Sequence, residues 1–271
     1  PQAFYEKYRL NYSETELIWD IEKIKNPYIK ECLKFLKIDE KLYISTISDV
    51  PGSTGLGSSS SFCVGLLNAL YKLKGENIPA QRLAEEASFV EIDLLKKPIG
   101  KQDQYASAFG GMNLFRFNAN DTVNIRPINI NKTNLLKLKS NIVVFWSGIQ
   151  RSADTILEEQ KNNAKLNNKN LIIIRDYTQD LKKYFEDVDF SPKLIGKLLD
   201  KSWKLKKTLS SKISNPKINS VYSEAIKNGA YGGKVLGAGG GGFLMFIADP
   251  SNHIIIEKKL KNHGYIKFEF D

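Results

Sequence analysis

A two-domain α+β fold is predicted for this chain of 271 residues. Three observations predict it. Strand-like and helix-like stretches alternate without a strict β-α-β rhythm. The length suits one large or two modest domains. A polar, Lys/Asn-rich stretch over 131–139 reads as a junction. The expected domains are therefore residues 1–133 and 134–271.

Residues 12–38 read as helical, with Ser13 as a possible N-cap and Glu16 three residues on. After Pro27, Ile29, Leu33 and Leu36 recur at helical spacing. Residues 42–50 lean to strand through Tyr43, Ile44, Thr46 and Ile47. They feed a glycine–serine loop over 51–61, then a helix over 62–74 closed by Gly75. A second helix is expected over 80–95, between Pro79 and Pro98. Residues 100–108 read as a polar loop entering a helix. Residues 112–117 and 122–130 read as paired strands, and 142–147 as a buried strand. Ser152 is a possible cap for a helix reaching Gln160. Residues 162–170 are a low-complexity loop or a solvated helix. Residues 176–185, 193–209 and 219–228 read as amphipathic helices. A second glycine loop, 232–242, precedes a strand over 243–248. A helix over 253–261 and a strand over 266–270 complete the pattern.

Composition narrows the function. The chain is 42% hydrophobic and 26% charged, an ordinary globular balance. Two cysteines, Cys32 and Cys63, cannot alone build a disulfide framework or a four-ligand zinc site. They read as buried helix residues. The two histidines, His253 and His263, lie near the C-terminus, which argues against a Ser-His-Asp triad or a His-rich metal site. Trp19, Trp146 and Trp203 read as core or rim residues. No apolar run reaches the roughly 20 residues of a membrane span, and no signal segment is visible. A cytoplasmic protein without a membrane partner is expected. The net charge is +10, from 40 Lys+Arg against 30 Asp+Glu. The lysines are scattered, as a solvated surface or a funnel for anionic ligands. Without a zinc knuckle, an RNP-type aromatic motif or a block of like charge, no nucleic-acid partner is expected.

Three stretches carry chemistry. The first is Gly52, Ser53, Thr54, Gly55, Leu56, Gly57, Ser58, Ser59, Ser60 and Ser61, running into a helix. Glycines let backbone N–H groups approach an anion, and the helix N-terminus favours negative charge. Serine hydroxyls can cap that helix, contact phosphate or ligate Mg²⁺. The Walker lysine is absent, and the loop does not fit G-x-G-x-x-G. A merely capped helix with a flexible approach is the plainer alternative. The second stretch is Gly100, Lys101, Gln102, Asp103, Gln104 and Tyr105. A carboxylate beside a cation keeps its charge and can accept a hydroxyl proton. Upstream, Glu91 could ligate a metal or be an ordinary helix charge, with Asp93 competing for the role. The third stretch is the glycine run 232–242. Its four consecutive glycines lose much entropy on ordering, which favours a ligand role over a flexible hairpin. Arg151 follows Gly148 at a strand end and could clamp a phosphate or lie idle at the surface.

The stretch 51–61 resembles the second motif of the GHMP small-molecule kinases, and Leu236–Gly242 their glycine-rich third motif. The strings Gly-Leu-Gly-Ser-Ser-Ser-Ser, Gly-Lys-Gln-Asp-Gln-Tyr-Ala and Leu-Gly-Ala-Gly-Gly-Gly-Gly-Phe-Leu resemble one branch, the D-glycero-D-manno-heptose 7-phosphate 1-kinases. Residues 148–153 and 210–216 look like that branch too. The resemblance covers most of the chain from about Arg9 onward. It implies a ribosomal-protein-S5-like N-terminal domain that binds ATP, a ferredoxin-like C-terminal domain, and an active site between the domains. It implies ATP and Mg²⁺ as cofactors and a sugar phosphate as the small-molecule partner of a monomer or homodimer. On the same footing, Gly52, Thr54, Gly55, Leu56, Gly57 and Ser58–Ser61 cradle ATP. Ser59 and Glu91 hold Mg²⁺. Asp103 is catalytic, helped by Lys101. Gln102, Arg151, Gly237, Ala238, Gly239, Gly240 and Gly241 meet the substrate. Arg151 is the expected clamp of the sugar 7-phosphate. A 1-kinase for a free hexose, or a silent nucleotide- or sugar-phosphate-binding relative, are the alternatives.

Kinases of this type begin with a first motif, roughly Arg-x-Ser-x-x-Gly-Gly-Gly-Thr-Asp, which this sequence lacks. Residues are therefore expected to be omitted before Pro1 and between Tyr8 and Arg9.

Overall fold

The computed structural model describes residues 6–50, 52–151 and 153–269, and the elements below are those of the described residues. They fall into two units. The first holds residues 6–50 and Gly57–Gly111, the second Gly52–Leu56 and 112–269.

In the first unit β1 (Tyr8–Asn11) pairs antiparallel with β2 (Thr15–Ile18) and parallel with β3 (Tyr43–Ser45), in the order β2-β1-β3. Helix α1 (Pro27–Phe35) lies between β2 and β3 in the chain. Then come α2 (Ser58–Leu73), α3 (Ala80–Ser88), a six-residue π-helical turn (Phe89–Leu94) and α4 (Gln102–Phe109). Leu10, Ile29, Leu33, Leu67 and Val90 belong to its apolar core.

The helix expected over 12–38 is corrected in its first half. Tyr8, Leu10 and Glu16 point inward with period two while Arg9, Thr15 and Leu17 face out, so these residues form a hairpin. The chain also runs unbroken from Tyr8 to Arg9 inside β1, which corrects the omission expected there. Ser13 caps nothing; Asn26 is the true N-cap, its side chain accepting from the Ile29 N–H ahead of Pro27. Glu16 is 4% exposed and accepts from Lys25 N at 2.9 Å, Asn26 N at 3.3 Å and the Tyr12 hydroxyl at 2.8 Å.

Burial raises the Glu16 pKa, but the hydrogen bonds outweigh it, and the net shift is downward from 4.5. A carboxylate with a depressed folded pKa stabilises above its unfolded value and loses that contribution as pH falls through the folded one. Glu16→Gln is therefore expected to cost about 2 kcal/mol at pH 7, the scale of hydrogen bonds to a charged group. The variant should also lose less stability than the parent as pH drops below about 4.5. Urea midpoints at pH 7, 5 and 3 check both.

In the second unit β4 (Asn113–Phe117) and β5 (Val123–Pro127) form a hairpin. After α5 (Lys132–Asn141) comes β6 (Ile142–Trp146), then α6 (Asp154–Asn162), α7 (Asn168–Glu186), α8 (Pro192–Lys206) and α9 (Pro216–Lys227). The chain ends β7 (Ala230–Val235), β8 (Phe243–Ala248), α10 (Pro250–Lys261) and β9 (Ile266–Phe268). The four strands pair antiparallel in the order β7-β8-β6-β9. Helices connect β6 to β7 and β8 to β9, the expected ferredoxin-like β-α-β-β-α-β arrangement. Phe145, Leu244 and Phe246 pack with Trp203, Ile218 and Ile256.

The units divide at Gly111/Met112, whereas the sequence suggested 133/134. Met112, Ile128 and Ile130 pack against Leu138, Phe185 and Phe190, which ties the hairpin to the second unit. Residues 132–141 form α5, capped by Asn131. Gly232 and Gly233 lie in β7, not in a loop. A Cβ on Gly232 would stand 1.9 Å from the Gly196 carbonyl oxygen of α8, and one on Gly233 2.3 Å from the Met245 oxygen of β8, so Gly232 serves a close helix–strand approach and Gly233 a close approach within the sheet. The expected cap Ser152 lies outside the described residues, as does Pro51.

Candidate active site

The first unit brings Asp103, Glu91 and the serines of α2 into one neighbourhood. Helix α2 begins at Ser58, ahead of the expected 62, because Gly57 precedes it at φ 70° and no side chain caps it. The leading N–H groups of such a helix lack intrahelical partners and favour an anion. Asp103 sits in the first turn of α4 with an exposed side chain. A Cβ on Gly57 would stand 3.2 Å from Asp103 Oδ2, so the carboxylate rests against the start of α2. Lys101 is half-buried just before α4, and Gln102 is exposed at its first position. Ser59 and Ser61 are exposed, Ser58 is half-buried and Ser60 is buried. The Ser61 hydroxyl lies 2.9 Å from that of Ser107 on α4.

Glu91 is fully buried on the π-helical turn, whereas Asp93 is exposed on the same turn. The structure thus settles which of the two points inward. Gln104 Nε2 donates to Glu91 Oε2, and Oε1 has no hydrogen-bond partner. Desolvation raises the Glu91 pKa, opposed by the nearby Ser60, Gln104, Tyr28 and Ser59 groups. Burial and the Glu91 charge push the Tyr28 hydroxyl up to about 12. π-Helical turns concentrate at functional sites. Mg²⁺ is commonly held by one or two carboxylates completed by phosphate and water. A buried carboxylate oxygen without a partner, close to two serine hydroxyls, fits such an ion. Among the described residues no three His, Cys, Asp or Glu side chains gather into a metal cage.

The second unit brings the two glycine loops into contact. Thr54 is 1% exposed, and a Cβ on Gly242 would lie 2.2 Å from its carbonyl oxygen. A Cβ on Gly55 would meet the Leu236 oxygen at 2.6 Å, and one on Gly237 would meet Gly55 Cα at 2.5 Å. Gly242 N donates to Ile149 O at 3.0 Å, and Ser147 N to Gly242 O at 3.0 Å. Gly240 N donates to Ile213 O at 2.8 Å, and Lys206 Nζ to Gly237 O at 2.5 Å. The Arg151 backbone donates to Ser53 O at 3.3 Å, and its guanidinium lies against Gly240. Gly52 and Leu56 are exposed; Ala238 and Gly239 are half-buried; Gly241 is buried.

The expected site residues therefore form two groups, one in each unit. Gln104 and Tyr28, the neighbours of Glu91, were not among the expected site residues. The signal for Gln104 was helical phase: Gln104 and Tyr105 turn inward together on α4, while Gln102 and Asp103 face out.

Residues 27–111 match the GHMP kinases N terminal domain, and residues 181–266 the GHMP kinases C terminal domain. The chain is 34% identical to the D-glycero-alpha-D-manno-heptose 7-phosphate kinase of Campylobacter jejuni, across 91% of this chain and 73% of that protein. It is 25% identical to the galactokinase of Pyrococcus furiosus, across 82% of this chain and 68% of that protein. A D-glycero-D-manno-heptose 1-phosphate kinase structure from Bacteroides thetaiotaomicron shares the fold at TM-score 0.71 and 21% identity, covering 99% of this chain and 81% of that one. Streptococcus pneumoniae phosphomevalonate kinase, solved with phosphomevalonate and AMPPNP, does so at TM-score 0.76 and 17% identity, covering 98% and 87%. No helix of the described residues is long and apolar enough to cross a membrane. Both domains and most of the length being matched, the chain belongs to the GHMP kinase family, among its sugar kinases.

Proposed function

We propose that the protein phosphorylates the anomeric hydroxyl of D-glycero-D-manno-heptose 7-phosphate with ATP and Mg²⁺. The product is heptose 1,7-bisphosphate for GDP-heptose synthesis, made in the cytoplasm by a monomer or homodimer. The observation that carries the reading is Asp103 held against Gly57 at the start of an uncapped helix, in the same unit as buried Glu91. In this reading residues 52–61 cradle ATP. Asp103 orients the anomeric hydroxyl and takes its proton as the oxygen bonds to the γ-phosphorus and the bond to ADP breaks. Lys101 offsets charge on the transferred group. Ser59 and Glu91 hold Mg²⁺, which neutralises phosphate charge when bound. Gln102 and the loop Gly237–Gly241 line the acceptor side. The identity to the Campylobacter jejuni heptose 7-phosphate kinase supports the acceptor. So does Arg151 beside Gly240, a fork suited to a second phosphate.

A coupled ADP-release assay tests this with heptose 7-phosphate, mannose, galactose, fucose and mannose 6-phosphate. Selective turnover of the heptose phosphate is expected. Arg151→Ala should raise its KM about 10- to 100-fold, the worth of a charge-assisted hydrogen bond, with the KM for ATP unchanged. Turnover of a free hexose alone would discard the substrate and keep the kinase. ATP binding without turnover of any sugar would leave a silent binding protein.

A further inference from the structure

We propose that Gln104 and Tyr28 are positioning residues of the Glu91 carboxylate, Gln104 holding it by Oε2 so that Oε1 is kept for a divalent cation. This rests on the reading of Glu91 as a metal ligand. Glu91 and Gln104 are both fully buried. Burying two polar side chains is costly unless their polar atoms are satisfied. Here Gln104 Nε2 donates to Glu91 Oε2, yet Glu91 Oε1 and Gln104 Oε1 keep no partner. A pair retained for stability alone would be as well served by apolar groups. The donor's chemistry also matters. A lysine would neutralise the carboxylate, whereas an amide fixes it and leaves its charge for a cation.

Tyr28, from the first turn of α1, faces the carboxylate and Ser59, and its ring packs edge-on at 6.3 Å from Phe62. Gln104 directly follows Asp103, so one turn of α4 carries Asp103 outward to Gly57 and Gln104 inward to Glu91. The geometry of one carboxylate is thereby tied through a single peptide link to that of the other.

The test titrates Mn²⁺, read by electron paramagnetic resonance, onto the full chain saturated with a non-hydrolysable ATP analogue. Gln104→Met should weaken Mn²⁺ binding about tenfold, the usual cost of losing a group that orients a ligand. Tyr28→Phe should weaken it in the same direction by less. Affinity for the metal-free analogue should stay within about twofold for both, a readout that general loosening would not spare. In a Glu91→Gln background, Gln104→Met should add no further loss. Wild-type Mn²⁺ affinity in Gln104→Met, or a parallel loss of metal-free nucleotide binding, overturns the inference. Wild-type Mn²⁺ affinity in Glu91→Gln itself overturns the metal reading beneath it. If Gln104→Met does not fold, Tyr28→Phe decides, since it removes one oxygen from a half-buried ring.

Discussion

Asp103→Ala is expected to lower kcat about 1,000-fold, within the range lost with a positioned acid–base group. Nucleotide affinity should change little, because the Asp103 side chain lies outward at the start of α4 rather than in a core. Thermal stability should also hold, since exposed substitutions usually stay within about 0.5 kcal/mol. The prediction is sharpened by Gly57. A side chain at Gly57 would press on the Asp103 carboxylate, so the two positions share one geometry. Stopped-time ADP release, a nucleotide titration and a thermal melt on one preparation separate chemistry from binding and folding. Near-normal turnover in Asp103→Ala would remove this carboxylate from the reaction.

Gly242→Ala should produce the largest combined loss of stability and turnover. Gly242 has φ +80°, a left-handed backbone that costs an L-residue about 1–2 kcal/mol. Its Cβ would also fall 2.2 Å from the Thr54 carbonyl oxygen, and the obstacle is backbone rather than a yielding side chain. Adding the overpacking, about 3 kcal/mol of destabilisation is expected. Forcing residues 52–56 off the second glycine loop should lower kcat/KM at least about tenfold, because small displacements of positioning groups are expensive. Gly52→Ala is the control. Gly52 lacks positive φ, and nothing lies within 4 Å of the place its Cβ would take, so the melting temperature should be nearly unchanged. Equal melting temperatures for Gly242→Ala and the parent would contradict the packing of the two loops.

Both glycine loops were legible because glycine there answers a local need. Gly55, Gly57, Gly237, Gly239, Gly240 and Gly242 take positive φ, which the sequence signals directly. The string Gly-Lys-Gln-Asp-Gln-Tyr-Ala was likewise read as a polar loop entering a helix, and Asp103 stands in the first turn of α4. The hairpin over 8–18 was not legible. Its two strands are four residues each, too short for a period of two to outweigh a Ser13–Glu16 spacing that mimics a capping box. Its register depends on β3, far along the chain at Tyr43–Ser45. The choice between Glu91 and Asp93 was hidden by the π-helical turn, which shifts the helical phase after Ser88. Gly232 and Gly233 read as loop because a glycine that admits a packed helix or strand looks, in sequence, like one that admits a ligand.

The most direct measurement of phosphoryl transfer to the anomeric hydroxyl is ³¹P NMR of the protein with ATP, Mg²⁺ and D-glycero-D-manno-heptose 7-phosphate. The expected spectrum loses the γ-phosphate of ATP while a second sugar phosphate, coupled to the anomeric proton, grows in equal amount beside the first. Release of inorganic phosphate alone, or an unchanged ATP spectrum, would contradict the assignment of the protein as a sugar-phosphate 1-kinase.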